Sequence, residues 1–197
     1  MIRLLSHPLI EHVILALGES DQYYETTTLP QNLNVTRVNG GNERVDSVIA
    51  GLDAIDEEKY PWVLVHDAAR PCVTLEDITA LIESSLVREY GGILASPVRD
   101  TMKRTGKNQD VTLTEEREHL WHALTPQFYP TSELKSAIDQ ALAKKLPITD
   151  ESSAMEFANK RSHIVEGRGD NIKITHPDDL DYATFILSKQ STKRETV

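Results

Sequence analysis

Short apolar runs alternate with stretches of helical periodicity along most of this chain, and this alternation limits the folds it can adopt. The runs are rich in β-branched residues, as buried strands are, and they cover Val13–Leu17, Val35–Val38, Trp62–Val65 and Ile93–Ala95. Between them, apolar residues recur every three or four positions, which places them on one helix face. Apolar strands separated by helices predict an α/β fold with a mostly parallel sheet covered on both faces.

Four helices are expected from the periodicity. The second helix should begin after Thr74, which is a good N-cap residue with Asp77 three positions later. The third should begin at Thr131 or Ser132, and the fourth should begin near Pro177, since proline is favoured in the first turn of a helix. The apolar positions that define the four helices are Val45, Val48, Ile49, Leu52 and Ile55; Leu75, Ile78, Leu81, Ile82 and Leu86; Leu134, Ile138, Ala141 and Leu142; and Leu180, Ala183 and Leu187.

One polar segment interrupts the alternation. Residues 97–113 predict two short strands around Gly106-Lys107-Asn108, a hairpin turn that should project as an arm over about residues 97–121. Such an arm either binds a partner surface and forms a dimer or remains a mobile hairpin, and composition leaves both open. The expected fold is a doubly wound, mostly parallel Rossmann-like sheet with a protruding β-hairpin arm, in one domain over 1–188 with a frayed polar tail over 189–197.

Composition narrows the function classes. With 21 Lys+Arg against 31 Asp+Glu among 197 residues, the net charge is −10, which argues against nucleic-acid or anionic-membrane binding. The apolar runs are far shorter than the ~20 residues of a membrane span. The single cysteine, Cys72, cannot form an internal disulfide, and no Cys/His cluster has zinc spacing. The sequence therefore predicts a soluble, cytoplasmic, globular protein.

The residues that follow the apolar runs are the first candidates for a site, because ligands bind beyond the carboxyl ends of parallel strands. After the second run comes Gly40-Gly41 at the start of a helix, where backbone N–H groups are free for an anion. The pair forms either a ligand loop or an ordinary strand-to-helix turn. Ser47 lies one turn inside that helix.

The stretch His66–Pro71 is the most informative. Asp67 ends a buried strand, where a ribose hydroxyl or a metal–phosphate would be held, and Arg70 offers five donors suited to phosphate. The alternative is that Asp67 and Arg70 pair with each other and cap a turn. His66 is expected to be structural rather than a base.

Further polar groups follow the later runs. Three cationic side chains lie between residues 97 and 104, and they indicate either an anionic ligand or a solvated hairpin. Thr149 is expected to cap a helix. Lys173, on a predicted short strand, either binds phosphate or is solvated. No Gly-x-Ser-x-Gly elbow is present, and Cys72 lies beside Pro71. An inventory of Asp, Arg, Lys, Thr, Ser and backbone N–H groups suits phosphoryl or nucleotidyl transfer, in which catalysis is mainly positioning and charge stabilisation.

Six segments, in order, resemble the 2-C-methyl-D-erythritol 4-phosphate cytidylyltransferases, enzymes of the non-mevalonate isoprenoid route. The resemblance runs from Leu4 to about Leu187. The segments are Gly40-Gly41-Asn42-Glu43-Arg44 with Ser47-Val48, His66-Asp67-Ala68-Ala69-Arg70-Pro71, Pro97-Val98-Arg99-Asp100-Thr101-Met102-Lys103-Arg104, Leu120-Trp121-His122-Ala123-Leu124-Thr125-Pro126-Gln127, Ile148-Thr149-Asp150-Glu151, and Glu166-Gly167-Arg168 with Asp170-Asn171-Ile172-Lys173.

The resemblance implies that methylerythritol 4-phosphate attacks the α-phosphorus of CTP and releases pyrophosphate. It also implies Mg²⁺ held mainly through the CTP phosphates, with Asp67 as the one candidate protein ligand and no certain metal residue. The implied cytidine pocket is lined by Gly41, Asn42, Ser47 and Ala68, where Asn42 stands at a position at which the family commonly has Asp.

The resemblance also implies an acceptor site and a dimer. Asp67, Arg70, Thr149 and Lys173 would surround the sugar phosphate and the ribose. The arm would cross a homodimer, so that Thr101, Arg117 and Thr125 reach the partner's site. Arg117 and Lys173 resemble the residues that hold the attacking phosphate, and they are the predicted catalytic pair.

One departure from the family pattern bears on activity. Family members open with a strand and a Gly-rich loop that carry a catalytic Arg and then a Lys, whereas this chain opens where the following helix should end. Strand edges and apolar faces should then be exposed, and we expect the 197-residue chain to fold poorly or turn over very slowly. The alternatives are a non-catalytic dimeric phosphosugar- or nucleotide-binding relative and a nucleotidyltransferase for another polyol phosphate.

Overall fold

The computed structural model describes residues 1–27, 30 and 33–194, with side chains as far as residue 191. Its strands are β1 Val13–Leu17, β2 Val35–Asn39, β3 Trp62–Val65, β4 Gly92–Pro97, β5 Lys103–Thr105, β6 Val111–Thr114, β7 Trp121–Pro130 and β8 His163–Glu166. Its helices are α1 Ile2–Leu5, α2 Arg44–Asp53, α3 Leu75–Arg88, α4 Thr131–Ala143, α5 Glu151–Phe157 and α6 Asp179–Arg194, with a 3₁₀ turn at Tyr24–Thr26. Over these residues, none of the helices has the length and apolar content to cross a membrane.

The strands form three sheets, and the α/β class is confirmed. The largest sheet has the order β3-β7-β4-β8, in which β4 and β8 are parallel while β7 is antiparallel to both its neighbours. A separate sheet pairs β1 with β2 in parallel. The largest sheet is therefore mixed: β3, β4 and β8 run in one direction and β7 runs in the other, and the sequence pattern predicted no strand over β7. Pro126 and Pro130 argue against a strand there, since proline is rare inside sheets.

Most of the other predicted elements are confirmed. The four predicted strands and four predicted helices are present, and β5 and β6 form the predicted antiparallel hairpin. Thr74 caps α3 by accepting a hydrogen bond from the Asp77 backbone N–H at 3.2 Å. The frayed tail expected from residue 189 is wrong as far as Arg194, since α6 continues to that residue and Gln190 donates to the Cys72 carbonyl at 2.9 Å. Residues 195–197 of that tail lie outside the described part.

Apolar side chains pack on both faces of the largest sheet, because successive strand residues point to opposite faces. Ile93 and Ala95 of β4 join one cluster, and Leu94 joins the other. The first cluster contains Leu52, Ile93, Ala95, Tyr129, Leu134, Ala137, Ile138, Ala154 and Met155, which bring α2, α4 and α5 onto one face. The second contains Val73, Ile78, Leu81, Ile82, Leu94, Leu124 and Phe128, which bring α3 onto the other.

A cavity of about 740 Å³ lies between β1 and β3. One wall is β1 and the other is β3, and the apolar side chains of Val48 and Leu52 on α2 and of Ile55 just after it contribute a third side. Both strands are end strands of their sheets in the described structure, so each has an edge free of strand pairing. The cavity extends to Asp67 and Arg70, at the carboxyl end of β3.

A bulge in β7 connects the sheet to the loop after β3. Two positions on β4, Ile93 and Ala95, pair with Gln127 and Ala123, which lie four positions apart on β7. Two extra residues therefore bulge from β7 beside the site, and Thr125 lies in this bulge.

The Thr125 hydroxyl accepts from the Asp67 backbone N–H at 3.0 Å and lies 3.0 Å from His66 Nδ1. His66 Nε2 lies 3.0 Å from the Arg70 carbonyl oxygen, which can only accept, so Nε2 carries the proton and Nδ1 accepts from Thr125. These bonds hold both ends of the loop after β3 on β7, and they confirm the expectation that His66 is structural.

The pH dependence of stability follows from His66. Burial outweighs the Arg70 carbonyl and the charge of Asp67 and lowers the pKa of His66 from 6.5 to about 4. A histidine with a depressed folded pKa contributes stability that is complete above the unfolded pKa and is lost as pH falls toward the folded one. Between pH 7 and pH 5, wild type should lose about 2 kcal/mol more unfolding free energy than His66→Gln in urea titrations.

The matched control is His122→Gln, which replaces an exposed histidine of the same sheet and should lose stability as wild type does. An equal loss in wild type and His66→Gln would contradict the assignment of a buried neutral imidazole.

Candidate functional site

Two loops run side by side at the carboxyl end of β3. They are residues 66–70, which follow β3, and residues 167–175, which follow β8. The Ile174 N–H donates to the Ala69 carbonyl at 2.8 Å, and Arg70 Nη1 donates to the Asn171 carbonyl at 2.8 Å. The buried Asn171 amide donates to the carbonyl of Thr125 at 2.8 Å, so the β7 bulge supports the second loop as well. The loops bring together side chains more than 100 residues apart.

Asp67 lies where these loops meet. Its Oδ2 accepts from Lys173 Nζ at 2.8 Å, and its Oδ1 accepts from Arg44 Nε at 3.1 Å. Burial by itself would raise the pKa of Asp67, but the hydrogen bond from Lys173 and the charges of Arg44 and Lys173 outweigh it, and the pKa is lowered. The carboxylate is therefore ionised and held between two cations.

Three predictions about this cluster can be compared with the geometry. Arg70 donates to the Asn171 carbonyl, and Asp67 pairs with Arg44 and Lys173, so the alternative of a side-chain pair between Asp67 and Arg70 is not what forms. A backbone turn is nevertheless present, because the Arg70 N–H donates to the Asp67 carbonyl at 3.0 Å. Lys173 lies in an irregular segment and not on the short strand that was predicted.

Arg44 and Glu151 form an ion pair that the sequence analysis did not assign. Arg44 is the first residue of α2, and its Nη1 and Nη2 donate to the two Glu151 carboxylate oxygens at 2.7 and 3.1 Å. Glu151 is 2% exposed. Burial alone would lower the pKa of Arg44, but the hydrogen bonds and charge of Glu151 hold it above its ordinary value. Both residues lie within motifs that the sequence analysis quoted, yet no periodicity links positions 107 residues apart.

The start of α5 fixes Glu151. Asp150 is the N-cap and accepts from the Ser153 N–H at 2.9 Å, so the expected cap by Thr149 is wrong. Asp150 occupies the position from which a side chain can reach the helix N–H groups, while Thr149 lies one residue earlier and is exposed. Gln127 on β7 donates to Asp150 at 2.9 Å and accepts from the Ser152 N–H at 2.9 Å.

The Gly40-Gly41 turn is shaped by close packing on α2. A Cβ added to Gly41 would lie 2.1 Å from the Asp46 Cβ, so only glycine fits there. The Gly41 N–H donates to the Ser47 hydroxyl at 3.1 Å. Such packing is found in an ordinary strand-to-helix turn. The turn also borders a shallow pocket at the carboxyl ends of β1 and β2, and the residues that line this pocket are Gly18, Glu19, Ser20, Gly40, Gly41 and Asn42.

The predicted nucleotide residues lie around two openings. Gly41 and Asn42 line the shallow pocket, whereas Ser47 and Ala68 line the cavity between β1 and β3. Gly18, Glu19 and Ser20 were not predicted, although their position directly after β1 is a signal of the kind that identified Asp67 after β3.

Thr101 and Arg117 flank the β5–β6 hairpin, Thr101 before β5 and Arg117 after β6. Both are exposed, and the Arg117 guanidinium donates to the Arg99 carbonyl near the base of the hairpin. Thr125 was expected to reach a partner subunit, but it is 5% exposed and its hydroxyl bonds to the loop of its own chain. That expectation is therefore wrong for Thr125, because the β7 bulge turns its side chain inward.

Asp67 does not offer an open metal ligand in this arrangement, since each of its oxygens accepts a hydrogen bond from a cationic side chain. Across the described part of the chain, no group of three or more His, Cys, Asp and Glu side chains is placed to hold a metal ion.

Comparison with known proteins identifies the family. The family model for 2-C-methyl-D-erythritol 4-phosphate cytidylyltransferase (IspD) matches residues 1–189. The protein of that name from Colwellia psychrerythraea is 57% identical over 199 residues, covering 97% of this chain and 82% of the relative. The one from Pseudoalteromonas atlantica is 48% identical over 189 residues, covering 96% and 81%.

The solved structures agree with the sequence relatives. The crystal structure of 2-C-methyl-D-erythritol 4-phosphate cytidylyltransferase from Francisella tularensis superposes with a TM-score of 0.83 at 35% identity, covering 94% of this chain and 84% of that one. The family model, the relatives at 48–57% identity and the superposed crystal structure together show that the chain belongs to the 2-C-methyl-D-erythritol 4-phosphate cytidylyltransferase family.

Proposed function

We propose that this chain transfers CMP from CTP to 2-C-methyl-D-erythritol 4-phosphate at the cluster of Asp67, Arg70 and Lys173. An oxygen of the acceptor phosphate attacks the α-phosphorus of CTP, and the bond from that phosphorus to the β-phosphate oxygen breaks. Pyrophosphate leaves, and 4-diphosphocytidyl-2-C-methyl-D-erythritol forms. The convergence of an ionised carboxylate with two cations at the carboxyl end of β3 carries this proposal. The relatives' shared name disfavours a non-catalytic role or another acceptor.

Lys173 is the group that we assign to the acceptor phosphate. Its side chain is 43% exposed and its ammonium is bound to Asp67, which also accepts from Arg44, so Lys173 can turn to an arriving phosphate without leaving a buried charge unpaired. Asp67 Oδ2 is then free to accept from an acceptor hydroxyl, and we assign Arg70 and Thr149 to the same acceptor site. Two anions must approach each other for reaction, and positioned cations make this approach favourable; positioning can contribute up to roughly 7–11 kcal/mol.

The nucleotide is assigned to the openings lined by Gly41, Asn42, Ser47 and Ala68. Asn42 is exposed at the mouth of the shallow pocket, where its amide can both donate to and accept from a cytosine edge. A divalent cation such as Mg²⁺ would be carried by the CTP phosphates, because the oxygens of Asp67 are engaged.

A homodimer is the assembly that we propose, formed through the hairpin of β5 and β6. Thr101 and Arg117 flank this hairpin and are exposed, as groups that act on a second subunit would be. Arg117 would then hold the acceptor phosphate from the opposite side to Lys173.

The acidic composition and single cysteine favour the cytoplasm as the compartment.

The reaction is tested by measuring pyrophosphate release from CTP and Mg²⁺ with the purified chain, with and without methylerythritol 4-phosphate. Release that requires the acceptor supports the proposal. Release that is equally fast without it, or only with another polyol phosphate, overturns the assignment of the acceptor.

Lys173→Gln should lower kcat/KM for the acceptor about 10²-fold, since it removes one preorganised cation from a site that stabilises charge. Steady-state kinetics with the acceptor varied at saturating CTP give this value. Lys160→Gln is the matched control, because Lys160 is a half-exposed lysine paired with Glu133 away from the site, and it should behave as wild type.

Co-expression of Lys173→Gln with Arg117→Gln tests the shared site. Each variant alone should be nearly inactive, whereas the mixture should recover about one quarter of wild-type turnover, because half of randomly formed dimers are heterodimers with one intact site. Native mass spectrometry confirms that heterodimers form. Heterodimers without recovered activity would show that Arg117 and Lys173 act within one chain.

A further inference from the structure

We infer that Arg44, anchored by Glu151, is a positioning residue that holds the Asp67 carboxylate in place for the acceptor. The inference rests on the proposed function, because it gives Asp67 a task there. Neither Arg44 nor Glu151 is among the residues assigned above to substrate.

The first step is that Arg44 is itself immobilised. Its guanidinium meets the two oxygens of Glu151 as a fork, at 2.7 and 3.1 Å, and a bidentate pair fixes both the position and the plane of the group. Glu151 belongs to the first turn of α5, whose cap is fastened to β7 by Gln127. Arg44 therefore has a rigid support that does not depend on substrate.

The second step is that the Nε donor of the same guanidinium faces Asp67. Nε donates to Asp67 Oδ1 at 3.1 Å, while Oδ2 accepts from Lys173. The two cations differ in how firmly they are held. Lys173 has a flexible side chain and pairs with Asp67, whereas Arg44 is held by three hydrogen bonds. If Lys173 leaves for a phosphate, Arg44 alone keeps the orientation of the carboxylate.

The third step concerns the charge of Asp67. The charged and titratable side chains that surround it are Arg44 from α2, Lys173 and Arg70 from the two loops, His66 beside it, and Glu151 behind Arg44. Arg44 thus compensates two carboxylates. Without it, Asp67 would lose a cation at hydrogen-bonding distance and would protonate more easily.

The fourth step is the consequence for substrate. Asp67 is assigned to the acceptor and not to CTP, so loss of Arg44 should affect the acceptor selectively. A residue that only stabilised the fold would lower the amount of active enzyme and leave both KM values unchanged.

The main variant is the double substitution Arg44→Gln with Glu151→Gln, which removes both charges together and leaves no buried charge unpaired. We expect KM for the acceptor to rise about tenfold while KM for CTP stays within about threefold. We also expect the acid limb of kcat/KM for the acceptor to move to higher pH. The matched control is Arg37→Gln with Glu25→Gln, which neutralises an exposed Arg–Glu pair elsewhere in the chain.

Two further variants separate positioning from folding. Arg44→Lys keeps the charge but loses the fork, and it should also raise KM for the acceptor. In an Asp67→Asn background, the double substitution should change KM for the acceptor by less than about twofold, because its effect passes through the Asp67 carboxylate. Additive effects in that background would overturn the inference.

A readout without substrate keeps this test separate from the proposed function. Carbon-13 NMR of labelled Asp carboxyl groups, with Asp67 assigned from Asp67→Asn, should show the Asp67 titration midpoint at higher pH in the Arg44→Gln, Glu151→Gln protein and in Arg44→Lys. The control pair should leave it unchanged. If the wild-type chain shows no acceptor-dependent turnover, the proposed function is overturned and this inference is not. If the Asp67 titration midpoint is unchanged both in Arg44→Gln, Glu151→Gln and in Arg44→Lys, this inference is overturned whatever the activity.

Discussion

The site depends on the neutralisation of one buried carboxylate. Glu151 is 2% exposed at the start of α5, and an ionised carboxylate in that position is very unfavourable without a charged partner. Arg44 supplies that partner, and the same guanidinium reaches Asp67. One charged group therefore joins α2, α5 and the loop after β3 in a single arrangement, and Lys173 completes it from the loop after β8.

The β7 bulge is the second constraint, because its residue Thr125 makes hydrogen bonds to both loops of the site. In a regular strand Thr125 would follow the alternation of side chains, whereas the bulge turns its hydroxyl to His66 and to the Asp67 N–H. The same strand supplies Gln127, which fastens the α5 cap. A strand that the sequence pattern did not predict therefore supports both charged loops.

The sequence singled out Asp67, Arg70 and Lys173 as candidates but did not identify the side chains that pair with them. Asp67 was identifiable because it lies two residues after the end of an apolar strand. Its partner Arg44 was not, because the pairing depends on how α2 packs beside β3. Thr149 and Thr125 were misjudged for a related reason, since capping geometry and a bulge decide where a hydroxyl points, and neither is visible in residue spacing.

The sequence by itself determined the α/β class, the bounds of β1 and β3, the hairpin, and the motifs that mark the family. These features are local, because apolar periodicity, turn residues and order along the chain fix them. Only the tertiary structure decided the central antiparallel β7, the separation of the β1–β2 pair from the larger sheet, and the ion pairs that connect Glu151, Arg44, Asp67 and Lys173. These depend on contacts between residues up to 107 positions apart, and spacing along a chain carries no information about which distant charges will meet.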